Sequence, residues 1–201
     1  MFETVLHPPN ATRGVLLLHG GTGRGDHEAE LRERYAQLGY AVFVPDLFEG
    51  PPSRELIGSL VAQPELLRQR VVKAHEVLRR REVTTTFVVG HCFGGLAALE
   101  LARVDATVAC AVSFHGNLAT PAPASKIAAK ILAVTGSADP YCLVEQRAAF
   151  EAEMSAAGAD WQLLVLGGAK HGFTVKSSPD YDAQADRRSW DAMLKLFAEI
   201  S

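Results

Sequence analysis

The 201-residue chain is 48% hydrophobic and 21% charged, and it carries a net charge of −3. These values are typical of a soluble globular protein, and we expect residues 1–201 to form a single domain. They exclude an electrostatic affinity for nucleic acid or anionic membranes, and no apolar run reaches the roughly 18 residues of a membrane span. Three cysteines without metal-ligand spacing predict neither disulfides nor a metal site, and we expect no cofactor. The start Met1-Phe2-Glu3 lacks secretory features, which favours the cytoplasm.

Apolar runs and amphipathic segments alternate along the chain, without repeats or low-complexity stretches. Strands are predicted at 15–19, 41–45, 86–90, 108–114, 131–136 and 161–166, with an additional edge strand at 2–6. Helices are predicted at 29–38, 65–80, 95–103, 144–157 and 189–200. Pro51-Pro52 and the segment 121–123 are interpreted as loops. Short apolar strands that alternate with helices indicate an α/β protein, with a mostly parallel sheet and helices on both faces.

The most informative segment joins the third predicted strand to the helix after it. It has the sequence Gly90-His-Cys-Phe-Gly-Gly95, so that Cys92 lies in a Gly-x-Cys-x-Gly motif. A strand, a sharp turn and a helix around this motif are typical of a nucleophile elbow, with cysteine where serine is usual. Glycines leave room for a strained turn, and the helix N-terminus favours a thiolate. The alternative interpretation is a glycine-rich packing turn with an inert cysteine.

Two further residues with catalytic chemistry follow later strands. Asp139 comes after the strand 131–136, and His171 comes after the strand 161–166. Ligands of a parallel sheet bind beyond the carboxyl ends of its strands, so these residues and Cys92 should converge. The order nucleophile, acid, histidine is that of α/β-hydrolase triads, in which histidine moves the proton and the acid orients it. Taken singly, Asp139 is better interpreted as a turn residue and His171 as a loop histidine without a special role.

The segment His19-Gly-Gly-Thr-Gly23 follows the first predicted strand. In this position a glycine-rich loop supplies one oxyanion-hole N–H, here from Gly21, and the residue after the nucleophile, Phe93, supplies the other. A dinucleotide-binding loop is the competing interpretation, with Asp46 ending the next strand. The Gly-x-Gly-x-x-Gly spacing and a Gly-Lys-[Ser/Thr] segment are both absent, which disfavours it.

Several segments together resemble one family. They are Gly90-His-Cys-Phe-Gly-Gly95, Val112-Ser-Phe-His-Gly116, Gly136-Ser-Ala-Asp-Pro140, His171-Gly-Phe173, Pro45-Asp-Leu-Phe48 and Asp186-Arg-Arg-Ser-Trp190. They resemble the dienelactone hydrolase family of α/β-hydrolases, from about Val15 to the C-terminus. The resemblance implies an α/β-hydrolase fold without a lid domain. It also implies a triad of Cys92, His171 and Asp139 that acts on carboxylic esters or lactones through a thioester.

The chain departs from that family at two places. Founding members carry a glutamate in the loop that matches 19–23, where it contacts the resting cysteine. Here the first acids are Asp26 and Glu28. Founding members also carry an arginine shortly after the triad histidine, which binds the substrate carboxylate. Here the residues 174–176 are Thr-Val-Lys. We therefore expect neutral esters or simple lactones to be better substrates than dienelactone-type acids.

Other residues have smaller predicted roles. We predict substrate contacts from His115, Phe48, Thr22 and Phe173. Arg24, Arg54 and Lys176 are the basic residues that could replace the missing cation. Cys110 and Cys142 are interpreted as packing residues.

The sequence thus predicts a cysteine-dependent hydrolase whose partner is a small-molecule ester or lactone. The first alternative is a glutamine amidotransferase-type enzyme, which also has an elbow cysteine but pairs it with a His-x-Glu segment. The second alternative is a hydrolase-fold protein that binds a small ligand without catalysis. Either a monomer or a homodimer is compatible with the sequence.

Overall fold

A computed structural model describes residues 5–200 of the chain. The strands are β1 (Arg13–Leu18), β2 (Ala41–Phe43), β3 (Thr85–His91), β4 (Val108–Phe114), β5 (Lys130–Gly136) and β6 (Asp160–Leu166). The helices are α1 (Asp26–Gln37), α2 (Arg54–Ala62), α3 (Pro64–Arg79), α4 (Phe93–Val104), α5 (Val144–Ala156) and α6 (Ala183–Ala198). Neighbouring strands pair in parallel in the order β2-β1-β3-β4-β5-β6. The predicted α/β class is therefore confirmed.

Helices cover both faces of the sheet, because successive strand side chains point to opposite faces. In β1, Leu16 and Leu18 belong to the core shared with α2, α3, α4 and α5. Val15 and Leu17 belong to the core shared with α1 and α6. Strands buried on both faces are continuous apolar runs in sequence, which is why the pattern predicted them. No lid domain interrupts the fold within the part of the chain described.

The strand order places the site. The chain runs from β1 outward to β2 and then returns through α2 and α3 to β3, which pairs with the other side of β1. Loops that leave β1 and β3 therefore diverge from neighbouring positions and open a crevice at the carboxyl edge of the sheet. The two glycine-rich segments predicted to surround the reacting atoms leave these two strands.

Strand positions match the sequence predictions closely, with two exceptions at one edge. β4 spans the predicted 108–114, whereas β2 ends at Phe43, two residues before the predicted end. Of the edge strand predicted at 2–6, Leu6 forms an isolated antiparallel bridge with Val42. Residues 2–4 of that prediction lie outside the described residues.

The helices differ most from the predictions at two positions, besides α1, which begins at Asp26 rather than at 29. The sequence analysis did not predict α2, which begins directly after Ser53. The Ser53 hydroxyl accepts a hydrogen bond from the Leu56 N–H at 3.1 Å and so caps the helix. α6 begins at Ala183 rather than at 189, because the Asp182 carboxylate caps it by accepting two backbone N–H groups. Both starts follow from capping residues rather than from apolar periodicity.

Candidate active site

Cys92 occupies the sharp turn between β3 and α4. Its φ of 54° and ψ of −116° are strained for a residue with a side chain. A Cβ added to Gly90 would lie 1.9 Å from the Gly94 carbonyl oxygen, and one added to Gly94 would lie 2.1 Å from the Leu18 carbonyl oxygen. The flanking glycines are therefore required sterically, as the sequence analysis expects of an elbow.

The structure brings Cys92, His171 and Asp139 together at the carboxyl edge of the sheet. His171 Nε2 lies 3.1 Å from Cys92 Sγ, and His171 Nδ1 lies 3.0 Å from Asp139 Oδ2. The other Asp139 oxygen accepts the Tyr141 N–H at 2.8 Å. The Asp139 side chain is fully buried, whereas 23% of the His171 side chain is exposed. One carboxylate thus orients an imidazole that faces a sulfur.

The three groups shift one another's pKa values. Burial alone would raise the pKa of the Cys92 thiol, but the hydrogen bond and charge of His171 outweigh it and bring the pKa below its ordinary value. Burial would lower the pKa of His171, but hydrogen bonds to Asp139 and Cys92 and their charges raise it to about 10. Burial would also raise the pKa of Asp139, yet its hydrogen bonds to His171 and Tyr141 hold the pKa below its ordinary value. These shifts favour a thiolate–imidazolium pair over a neutral thiol and imidazole.

The other two cysteines lie in different surroundings. Cys110 is fully buried in β4, and this burial raises the pKa of its thiol well above the ordinary value. Cys142 is only 2% exposed and belongs to the hydrophobic core beside α5. Their placement agrees with the predicted packing role.

Two backbone N–H groups point at the Cys92 sulfur. They belong to Gly21, in the loop after β1, and to Phe93, the first residue of α4, and both lower the pKa of the thiol. These are the two donors predicted for the oxyanion hole. Because both converge on the sulfur, they also face the position that an acyl carbonyl oxygen would take after attack.

The loop that carries Gly21 is fixed by His19. This fully buried imidazole accepts the Leu47 N–H at Nε2, at 3.0 Å, and donates from Nδ1 to the Gly20 carbonyl oxygen at 2.8 Å. Burial lowers the pKa of His19, so that it stays neutral in this single tautomer. The sequence analysis assigned His19 no individual role, because a histidine at a strand end carries no signal of its backbone partners.

Glu28 lies outside the loop 19–23 in sequence, but its carboxylate contacts that loop in the structure. It is the third residue of α1, only 5% exposed, and its Oε2 accepts the Gly25 N–H at 2.9 Å. Its Oε1 lies 3.5 Å from the Gly20 N, so the carboxylate folds back onto the loop after β1. A Gly-x-x-Glu spacing before an amphipathic segment is the capping signal that could have placed it.

Two cavities meet at Cys92 and His171. The first, of about 560 Å³, is called the acid-lined chamber because Asp26, Glu28 and Asp180 lie in its wall. Its other lining residues include Gly20, Gly21, Thr22, His27, His91, His115, Val175, Ser177 and Ser178. The second, of about 620 Å³, is called the apolar chamber. It is lined by Ile57, Val61, Phe93, Leu96, Asn117, Pro140, Leu143 and Gln146. Tyr141 contributes to both walls.

The four predicted substrate contacts are placed differently. Thr22 is exposed and lines the acid-lined chamber, as does the buried His115, whose ring centroid lies 5.0 Å from that of His171. Burial and the charge of His171 lower the pKa of His115 to about 3, so it is neutral. Phe48 and Phe173 are buried and line neither chamber. Phe48 packs against Phe93, and Phe173 packs against His115, so they support lining residues instead.

Basic residues lie outside both chambers. Arg24 Nη2 lies 3.6 Å from Asp46 Oδ2, Lys176 bonds to Glu30, and Arg54 is the exposed first residue of α2. Within residues 5–200, no lysine or arginine lines either chamber. A carboxylate bound in the acid-lined chamber would therefore meet three acids and, among the described residues, no lysine or arginine.

The described residues form neither a metal site nor a helix that could span a membrane. No group of three or more His, Cys, Asp or Glu side chains among them is arranged to hold a metal ion. None of the helices in the same part of the chain has the length and apolar character needed to cross a membrane.

The parallel sheet, the strained turn and the residues around it define an α/β-hydrolase. More specifically, the chain belongs to the dienelactone hydrolase family, whose model matches residues 2–201. The resemblance found in the sequence is thereby confirmed.

Solved structures and a curated relative are similar over most of the chain. The dienelactone hydrolase-like promiscuous phosphotriesterase P91 from metagenomic libraries is 32% identical, with a TM-score of 0.87 over 96% of this chain and 88% of that one. A structure named m3DLH is 30% identical, with a TM-score of 0.89 over 97% and 89%. A Yersinia pestis protein named "Putative carboxymethylenebutenolidase" is 26% identical over 92% of this chain and 77% of its own.

Proposed function

We propose that this chain is a cysteine-dependent hydrolase of small carboxylic esters or lactones. The observation that carries the proposal is the contact of 3.1 Å between Cys92 Sγ and His171 Nε2, with Asp139 on the other ring nitrogen. A partly exposed thiol with a lowered pKa is a nucleophile, and an imidazole beside it can give a proton to the leaving group.

The reaction has two halves. The Cys92 thiolate attacks the acyl carbon, the C–O bond breaks as His171 protonates the departing alkoxide, and a thioester remains. Water then gives a proton to His171 and attacks the thioester, and the C–S bond breaks to release the acid and restore the thiolate. The N–H groups of Gly21 and Phe93 hold the carbonyl oxygen while it carries negative charge in both halves.

The substrate we propose is neutral. Burying a carboxylate without a cationic partner is costly, and the chambers offer Asp26, Glu28 and Asp180 instead of a lysine or arginine. The thiol and the two N–H groups contact only the acyl carbonyl, so they serve an uncharged ester equally well.

An amidotransferase-type enzyme is less well supported. That class orients its histidine with an acid two residues further along the chain, and here the residue two after His171 is the buried Phe173. Here the acid beside the imidazole is Asp139, whose Oδ2 lies 3.0 Å from His171 Nδ1.

Phosphotriester hydrolysis is a second candidate activity. The similarity to P91 favours it, and so does the absence of lysine and arginine from the described walls of both chambers. A neutral phosphotriester presents one P=O oxygen to the same two N–H groups. Cys92 would form a P–S bond as the P–O bond to the aryl alcohol breaks and His171 protonates that alcohol. Water would then give a proton to His171 and cleave the P–S bond, releasing the dialkyl phosphate and the thiolate. Release of the aryl alcohol from a dialkyl aryl phosphate tests it, and equal release by the Cys92→Ala variant would exclude it.

Covalent trapping tests the principal activity. The protein is mixed with an activated ester such as 4-nitrophenyl acetate, quenched in acid, and analysed by intact mass and peptide mapping. We expect an acetyl adduct on Cys92 that hydroxylamine removes, and no turnover by Cys92→Ala. An adduct on another residue, or unchanged turnover in the variant, contradicts the proposal.

A further inference from the structure

The wall of the apolar chamber consists mainly of hydrocarbon side chains. Its two amide side chains bond to each other, since Gln146 Nε2 donates to Asn117 Oδ1 at 3.2 Å. The remaining wall comes from α2 and the start of α4, with the exposed side chains of Tyr141 and Leu143 at its rim. Such a wall binds hydrocarbon and holds water poorly.

The wall of the acid-lined chamber carries more polar side chains. The Glu28 carboxylate lies in it, together with two further carboxylates and three hydroxyls, which belong to Asp26, Asp180, Thr22, Ser177 and Ser178. Carboxylates and hydroxyls form hydrogen bonds with water and with small polar groups, so this chamber suits both.

We propose that the two chambers divide the ester at its carbonyl, with the acyl chain in the apolar chamber and the alcohol in the acid-lined chamber. The inference rests on the proposed thioester mechanism and adds the side on which each half of the substrate lies. Cys92, Tyr141 and His171 are common to both walls, so the reacting carbonyl lies where the chambers meet.

The order of the two reaction steps decides which chamber binds the acyl part of the ester and which binds the alcohol part. After the first, the acyl chain stays on Cys92 while the alcohol leaves, and water must then reach the carbonyl beside His171. His171 Nε2 gives its proton to the departing alcohol and later takes a proton from the attacking water. Water must therefore enter the position that the alcohol has left. The acid-lined chamber, which suits water, is therefore the alcohol side, and the apolar chamber binds the acyl chain.

A pair of isomeric esters tests this assignment. Ethyl hexanoate places the long chain on the acyl side, and hexyl acetate places it on the alcohol side. We expect kcat/KM to be at least roughly tenfold higher for ethyl hexanoate, because each buried methylene contributes about fourfold. Equal values, or a preference for hexyl acetate, would overturn the assignment.

The second test uses a variant in which a larger side chain partly fills the apolar chamber. Val61→Trp narrows the apolar chamber and should reduce the ratio of kcat/KM for ethyl hexanoate over ethyl acetate by roughly tenfold. Ala62→Trp introduces the same side chain at the next residue of α2, which is exposed and lines neither chamber, and should leave the ratio unchanged. A ratio that Val61→Trp does not lower overturns the assignment.

The experiments distinguish a wrong chamber assignment from a wrong proposed function. If esters are cleaved through Cys92 but the long chain is preferred on the alcohol, only the division of the substrate is wrong. If no ester is cleaved and no adduct forms on Cys92, the proposed function is wrong and the division falls with it.

Discussion

Replacing Asp139 with asparagine removes one charge while keeping the size of the side chain. The asparagine oxygen can still accept the Tyr141 N–H, so the turn should persist. Two unit charges 3.0 Å apart at an effective dielectric constant near 20 interact by about 5 kcal/mol. Because 23% of the His171 side chain is exposed, we discount this for screening to roughly 3 kcal/mol. We therefore expect kcat/KM to fall about 150-fold, and by up to roughly 10⁴-fold if the amide also reverses the imidazole tautomer.

The same substitution should change the pH dependence. The thiolate–imidazolium pair exists above the lowered pKa of Cys92 and below the pKa of His171, which is about 10. Activity should thus rise with thiolate formation and decline near pH 10, when His171 loses the proton it gives to the alcohol. Asp139 raises the pKa of His171, so in Asp139→Asn the alkaline decline should move to lower pH.

The assay is kcat/KM for a neutral ester from about pH 5 to 10.5, beside the rate of thiol alkylation over the same range. A matched control is Asp105→Asn, which alters a second Asp–His pair, with 2.8 Å between Asp105 Oδ2 and His75 Nδ1. Neither residue of that pair lines a chamber, so the control should keep kcat/KM within about twofold. If Asp139→Asn behaves like the control, with an unmoved alkaline limb, Asp139 only shapes the turn.

Three other measurements check separate parts of the argument. Brief iodoacetamide treatment should label Cys92 before Cys110 and Cys142, as read by peptide mapping, and faster labelling of Cys142 would contradict the assigned nucleophile. Gly90→Ala should lower Tm by about 6–12 °C, whereas Gly58→Ala, where an added Cβ meets nothing within 4 Å, should raise it slightly; equal shifts would disprove the steric role of Gly90. Diethyl succinate should exceed monoethyl succinate in kcat/KM by roughly tenfold or more. A preference for the monoester that is lost on replacing a basic residue would show that a cation reaches the site.

Sequence patterns predicted the sheet and the meeting of distant residues for one geometrical reason. Each buried strand is a short apolar run, and parallel strands all end at the same edge. Asp139 and His171 could therefore be placed beside Cys92 from their positions after two strands. Their contacts of 3.0 and 3.1 Å depend on loop conformations that no periodicity encodes.

The helix α2 was not predicted because its sequence signals are weak. Its apolar residues Ile57, Leu60 and Val61 have helical spacing, but the helix is only nine residues long and follows two prolines. The evidence for its start was the single cap Ser53, and a short capped segment is a weak signal in isolation. The cost of missing it was functional, because Ile57 and Val61 supply a wall of the apolar chamber.

Glu28 shows a second limit, which concerns comparison by motif. The loop 19–23 contains no acid, so in sequence it lacks the glutamate that founding members of the family carry there. In space, the capping geometry at the start of α1 returns the Glu28 carboxylate to that loop, within the wall that also contains Cys92. The missing arginine has no such substitute, because Lys176 bonds to Glu30 and lies in neither chamber. A residue absent from a motif position therefore changes the chemistry of the site only if no neighbouring element brings the same group back.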